Sequence, residues 1–462
     1  MSDIPPPVTR ELAEFVAGTT IKDIPADVIA RGHIHLLDVL GLALAGSRSK
    51  VFDRILTYIA AQASSGRASI LATTGSAPPS LAALANGAAM HADNFDDTNP
   101  QPTPERNGGI HAGAVVIPAA LAAAEATNAS GTALSTAIHC GLEVACKLNH
   151  ALDARHYQGG YHATASLGIF GAAAAAASIF ELDAEKTADA LAIATARAGG
   201  IRGNFGTMTE QAHCGIAAES GLAAAEMARA GISGAGDILE RANGWFAAAG
   251  GGFIRDAICG KLGHPWALVD PGTSIKPWPN GALTHPAMTL MSRLIAEHDL
   301  TPDKVAFLSV RTNERVRATL IHDRPQDAGE ARFSMPFALA ALLVEGQAGL
   351  GTFTDETVAK PEIRAAMEKI EFSSYAEAGP GYTNVTSLID IRLCSGETID
   401  GRADYAVGSS QAPMGWDAVS EKYRQCADYA GWPAEKAEEA ADAVLEIEAA
   451  PDMRRLIAAL TR

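Results

Sequence analysis

Gly159-Gly-Tyr-His162 runs directly into Ala163-Thr-Ala-Ser-Leu-Gly-Ile-Phe-Gly-Ala-Ala-Ala-Ala-Ala-Ala-Ser-Ile-Phe180, a segment of 18 residues without a charge. That length approaches a membrane span. Its content points elsewhere, because Ala, Ser and Gly gain little from lipid compared with Leu or Ile. The expectation is a buried helix whose small side chains let neighbouring backbones come close. Val115–Thr127, Thr132–Leu148, Ala184–Ala198 and Ala217–Ala230 repeat the composition with helical apolar spacing. Upstream, residues 9–45 read as two helices. Ile24-Pro-Ala-Asp27 opens the second, with Pro25 as its first helical residue, and Gly46 ends it. Residues 79–92 form another helix, and no strand signal precedes about residue 270.

The pattern then changes. Lys304–Thr312, Ile370–Tyr375 and Val385–Cys394 alternate as strands, and Ser334–Glu345 between them is helical. Residues 416–462 return to amphipathic helices. The predicted class is mainly α. Residues 1–271 and 409–462 form one all-helical domain from both chain ends, with an inserted, smaller α+β domain over 272–408.

Among 462 residues, 48% are hydrophobic and 19% charged, as in a soluble globular protein with a large core. A net charge of −17 argues against nucleic acid or an anionic membrane as partner. An anionic substrate would therefore need local positive charge, for which Arg202 and Lys276 are the candidates. Six scattered cysteines with no C-x-x-C pair read as a reduced, cytoplasmic protein, and the N-terminus has no signal-peptide pattern.

Chemistry concentrates in His91-Ala-Asp-Asn-Phe-Asp-Asp-Thr98 and the following Gly108-Gly-Ile-His-Ala-Gly113. Asp93, Asp96 and Asp97 superficially resemble an aspartate-rich Mg²⁺ motif, but no second such motif follows and aromatic content is only 6%. Solvated acids at a helix C-terminus are the bland alternative, although they would oppose the helix dipole. His111 and His162 each precede a long apolar helix. A lone histidine there is usually a cap, but two in matching settings point to proton transfer or anion binding at helix N-termini. Gly206-Thr-Met-Thr-Glu-Gln-Ala-His-Cys-Gly215 reads as a polar loop offering Thr207, Thr209, Glu210 and His213. Lys276 and His285 lie where the α+β unit begins, a usual place for a cleft. His33, His35, His139, His150, His264, His298 and His322 read as structural.

At these residues the chain resembles the MmgE/PrpD family, which includes 2-methylcitrate dehydratase, cis-aconitate decarboxylase and iminodisuccinate epimerase. The resemblance runs nearly end to end. It covers Leu37-Asp-Val-Leu-Gly-Leu-Ala-Leu-Ala-Gly46, His91–Thr98, Gly160-Tyr-His-Ala-Thr164, Gly206-Thr-Met-Thr209 with His213, Ser274-Ile-Lys-Pro-Trp-Pro279 with His285, Arg332-Phe-Ser-Met-Pro336 and Pro413-Met-Gly-Trp-Asp417. It implies a helical domain with a smaller lid domain, an interdomain cleft, a homodimer, and neither metal nor organic cofactor. It also implies that His111, His162 and His285 are functional histidines. Two positions depart. Asn94 stands where decarboxylase and dehydratase members carry Asp, and Glu210 where they carry lysine.

The resulting expectation is a cofactor-independent enzyme that removes the proton α to a carboxylate of a small polycarboxylic acid. Arg202 and Lys276 would hold carboxylates, with Tyr161, Thr207, Thr209, His213 and Asp97 as further substrate contacts. His111 and His162 would serve as acid and base, His285 as an acid or carboxylate contact, and Glu210 as a cation site or second base, with Asn94 beside them. Loss of a β-hydroxyl would make a hydro-lyase, reprotonation on the other face an epimerase, and loss of CO₂ a decarboxylase. A binding protein that has lost its chemistry is the non-enzyme alternative.

Overall fold

The computed structural model describes residues 7–62, 65–100 and 109–462, so Gly108 lies outside the described residues. The chain divides into two compact units, one made of the chain up to Ile275 together with Gly415–Arg462, the other of Lys276–Met414.

The first unit is helical. Ala163–Ile179 lies at its centre with every residue buried except Ser178. Gly113–Thr127 is buried from Gly113 to Ala124, and Gly131–Ala151 over most of its length. The small side chains are what allow this. A Cβ on Gly215 would sit 2.1 Å from the Leu84 carbonyl oxygen, and one on Gly46 1.9 Å from that of Ala89. Any larger residue at either position would force the helices apart and cost packing contacts. Gly215 thus brings Met208–Arg229 against Pro79–His91, and Gly46 brings Ala26–Gly46 against the same helix. The C-terminal segment closes this unit. Trp416–Tyr429 packs on Ala26–Gly46, and the Ala72 amide donates to Leu460 O at 2.8 Å.

Three local expectations need correction. Pro25 is the N-cap rather than the first helical residue of Ala26–Gly46. A short antiparallel pair, Ala68–Ser69 with Ser76–Ala77, precedes residue 270. The stretch 206–215 is mostly not a loop, because the helix begins at Met208 rather than Ala217. The cause is legible in Thr207-Met-Thr-Glu210, a Ser/Thr-x-x-Glu start signal. Thr207 Oγ1 accepts from the Thr209 amide at 3.2 Å and caps the helix.

The second unit holds a four-stranded sheet, in the order Ile370–Ser374, Val305–Thr312, Ser387–Leu393, Thr398–Ala403. The first pair is parallel, with Leu308 opposite Ile370, and needs a crossover, which the helices between residues 314 and 367 supply. The other two pairs are antiparallel. Thr398–Ala403 was not expected from its sequence, because the alternation of Thr398, Ile399 and Asp400 ends at Gly401. Leu308, Val310, Ile389, Ile391 and Phe372 bury one face with the helices His285–His298 and Met335–Glu345.

Candidate active site

Packing in the first unit gathers imidazoles from four separate stretches. His91 ends the Pro79–His91 helix, His111 lies two residues before Gly113–Thr127, His162 is the N-cap of Ala163–Ile179, and His213 sits in the second turn of Met208–Arg229. Ring centroids are 5.2 Å apart for His91 and His111, 6.4 Å for His111 and His162, and 5.2 Å for His162 and His213. Phe205 lies edge-on to His162 at 5.0 Å.

The hydrogen bonds assign states to these rings. His111 Nδ1 faces the Asp97 carbonyl oxygen at 2.6 Å and Thr98 Oγ1 at 3.3 Å. A carbonyl only accepts, so Nδ1 carries the hydrogen and neutral His111 presents a bare Nε2. His162 Nδ1 faces His213 Nδ1 at 2.9 Å. Burial first, then the neighbouring imidazoles, push His162 down to about 2, so it stays neutral. Burial also lowers His213.

Acids complete the cluster. Burial opposes charge on His91, but Asp96, with Oδ2 2.7 Å from His91 Nδ1, and the neighbouring Cys214 together outweigh it and raise His91 well above the ordinary histidine range. Glu210 Oε1 is 3.3 Å from His91 Nε2. Burial alone would raise Glu210, yet its contact with His91 holds it below the usual carboxylate range. Asp97 points elsewhere and accepts from the Gly113 amide at 3.0 Å. Burial, then Asp96 and Asp38, raise its carboxyl well above the usual range. Asp96 and Asp97 are therefore buried rather than solvated, and they face different partners. His91, Asp96 and His111 have ligating atoms within 4.8 Å of one another. Two of those atoms are paired in the His91–Asp96 hydrogen bond.

The remaining candidates separate. Asn94 adopts a left-handed φ of 51°, a conformation Asn and Asp tolerate best after Gly, and its amide donates to His91 O at 3.0 Å. Arg202 and Tyr161 are tied to the His162 segment: the His162 amide donates to Gly200 O at 2.9 Å and the Arg202 amide to Gly160 O at 2.8 Å. The Arg202 guanidinium lies 3.8 Å over the Tyr157 ring, while Tyr161 stacks on His156 at 4.5 Å. Thr207 is committed to its cap and Thr209 is exposed. Lys276 and His285 belong to the second unit, where both are buried and His285 Nε2 is 2.8 Å from Asn280 Oδ1.

His91, Asp96, Cys214 and Phe205 had been given no role from the sequence. His91 and Asp96 stood inside the quoted motif, but the turn that folds one back onto the other has no pattern of its own. A distant contributor also appears. Lys422 on Trp416–Tyr429 pairs with Asp38 at 2.6 Å, donates to Phe95 O at 2.8 Å and lies 3.9 Å from the Phe95 ring centroid. It pins the peptide that carries Asp96 and Asp97.

The chain is similar to cis-aconitate decarboxylase of Homo sapiens, 28% identical over 435 residues, covering 90% of this chain and 87% of that protein. It is similar to cis-aconitate decarboxylase of Mus musculus, 27% identical over 428 residues, with 90% and 86% covered. The enzyme of the same name from Aspergillus terreus is 23% identical over 445 residues, with 91% and 89% covered. The MmgE/PrpD N-terminal domain matches residues 10–255 and the MmgE/PrpD C-terminal domain residues 278–447, and the chain belongs to the MmgE/PrpD family.

Proposed function

We propose that this protein is a cofactor-independent lyase of a small carboxylic acid. His111 removes the proton α to a carboxylate through its bare Nε2, and His162 supplies the opposing proton transfer. The observation that carries the reading is the placement of these two rings 6.4 Å apart, one with its Nδ1 hydrogen held by a carbonyl and the other kept neutral by burial. Imidazoles so placed can exchange protons near neutral pH without help from a metal or an organic group. Arg202 is the candidate carboxylate contact in the first unit.

The bond broken after proton loss follows from charge. The relatives are named for cis-aconitate, a tricarboxylate. In this chain Glu210 is an acid paired to His91 and 21% exposed on its side chain. A third carboxylate brought to about 4 Å of it would meet a repulsion of about 4 kcal/mol at an effective dielectric of about 20. Elimination of a β-hydroxyl from a less anionic acid therefore ranks above decarboxylation of cis-aconitate. Glu210 also favours a second reading, epimerisation of a dicarboxylate bearing an amino or imino group, whose cation it would bind.

Incubation in D₂O with cis-aconitate, 2-methylcitrate, and hydroxy- and amino-substituted dicarboxylates, followed by NMR, separates these outcomes. An alkene signal marks a hydro-lyase, CO₂ release a decarboxylase, and deuterium incorporation with inversion an epimerase. No exchange at any α-carbon across the panel would reject the enzyme reading in favour of a binding protein.

A further inference from the structure

The proposed reaction uses His111 and His162 and leaves the most deeply buried imidazole of the cluster unused. The His91 side chain is 1% exposed. Its two nitrogens face two carboxylates, Asp96 at 2.7 Å through Nδ1 and Glu210 at 3.3 Å through Nε2. The second contact is bent, an ion pair more than a hydrogen bond. Two carboxylates this close to a ring sealed from water favour the charged form, which carries hydrogen on both nitrogens. The Asp96 oxygen that faces His91 is also 3.6 Å from His111 Nδ1. His91 therefore stands behind Asp96, and Asp96 behind the hydrogen-bearing edge of His111.

We propose that His91 is a positioning residue: held as an imidazolium between Asp96 and Glu210, it keeps Asp96 ionised and aimed at the Nδ1 edge of His111, so that His111 presents a bare Nε2. This rests on His111 acting as the base. A buried anion beside Nδ1 favours the imidazolium that forms when His111 takes a proton, the part an orienting carboxylate plays beside a general-base histidine. A cation behind Asp96, whose side chain is 0% exposed, favours its ionised form.

The groups facing His91 favour this state. Asp96 and Glu210 attract its proton. Cys214, on the Met208–Arg229 helix, is pushed up to about 11 by burial and stays an uncharged thiol. His111, His162 and His213 would repel a charge on His91 only when protonated, and burial keeps His162 and His213 below the ordinary histidine range. The close approach at Gly215 brings Glu210 within reach, because it sets the helix carrying Glu210 against the helix ending at His91.

The test reads protonation directly in the full chain, labelled with ¹⁵N-histidine, by two-bond ¹H–¹⁵N correlation between about pH 6 and 9. His91 is assigned by its loss in His91→Gln. The expected result is two ring hydrogens on His91 at about pH 7.5 and an Nδ1–H tautomer for His111. Glu210→Gln should lower the pH at which His91 loses its proton by about one unit, and Asp96→Asn by more. A singly protonated His91 at that pH, or a titration unmoved in both variants, overturns the proposal. This readout needs no turnover, so it stands or falls separately from the reaction class. With an acid that is turned over, His91→Gln should lower kcat by about tenfold with KM changed less, and shift the pH profile. Adding Glu210→Gln to it should recover at least about threefold, because with one negative charge fewer nearby Asp96 ionises more readily. Equal losses with no recovery and an unmoved pH profile would mean a structural role only.

Discussion

The Nδ1 atoms of His162 and His213 face each other at 2.9 Å, so these two imidazoles share a single hydrogen. If His213 donates it, His162 carries its own hydrogen on Nε2 and is an acid; if His162 donates, its Nε2 is bare and it is a base. If His162, pushed down to about 2 by burial, acts as the proposed acid, it gives up its Nε2 hydrogen while taking the shared one from His213, which regains a hydrogen at its own Nε2. Opposite a His111 whose Nε2 is bare, the acid form is the useful one.

His162→Gln should therefore lower kcat by about 100-fold or more, the usual worth of a general acid, with a smaller change in KM. His213→Phe, which removes the shared hydrogen but leaves His162, should cost about tenfold. Steady-state kinetics on any acid that the D₂O panel finds turned over decides this. If His213→Phe matches wild type, the pair is not a working couple.

Stability should fall on both sides of neutrality for opposite reasons. Below the ordinary histidine value of 6.5 and down to about 2, the unfolded chain binds a proton at His162 that the folded chain refuses, so stability rises with pH in that window. His213, His156 and His139 are lowered too and add with the same sign. His91 is raised, so its contribution is complete below 6.5 and is lost as pH climbs through its higher folded value. Urea unfolding across pH should show this dome. In His162→Gln the acid limb should be shallower by about 1.4 kcal/mol per pH unit. An unchanged slope would show that His162 charges in the folded state.

Replacing Glu210 by lysine sets a cation against the buried His91 imidazolium. Glu210→Lys should lose about 2 kcal/mol of stability near pH 7, and less as pH rises and His91 gives up its proton. Denaturant midpoints at three pH values test the trend. A penalty that grows with pH contradicts the charge assigned to His91. If the acid at this position is what disfavours tricarboxylates, the same variant should gain turnover of cis-aconitate.

Lys422 and Asp38 are a buried ion pair, with side chains 5% and 0% exposed. Lys422→Met should cost about 3–5 kcal/mol, because it removes the cation of a buried ion pair, and Lys422→Met with Asp38→Leu should recover much of that. The single variant should also speed hydrogen exchange at residues 95–98, since Lys422 holds Phe95 O. A Lys422→Met protein as stable as wild type would show that the pair contributes nothing.

Much of the site was legible before any coordinates. His111 and His162 stood at matching places before long apolar helices, Glu210 and His213 within one short stretch, and Asn94 and Glu210 as departures from a resemblance. Thr207 caps a helix that begins at Met208, where the sequence reads as a polar loop. Its hydroxyl closes a local bond, and Glu210 at the third helical position turns away to His91 instead of completing the capping box.

The residues themselves determined which segments are helical, which carry titratable groups, and how near two backbones may come, because small side chains and apolar spacing act over a turn or two of chain. Only tertiary packing decided charge and partner. His91, His162 and His213 are the same side chain, yet one is raised and two are lowered, according to which carboxylate or hydrophobic wall the fold brings against each. Desolvation and Coulomb interaction depend on distance in space, and no local pattern reports that Glu210 lies 119 residues from His91 in sequence and 3.3 Å from it in the folded chain.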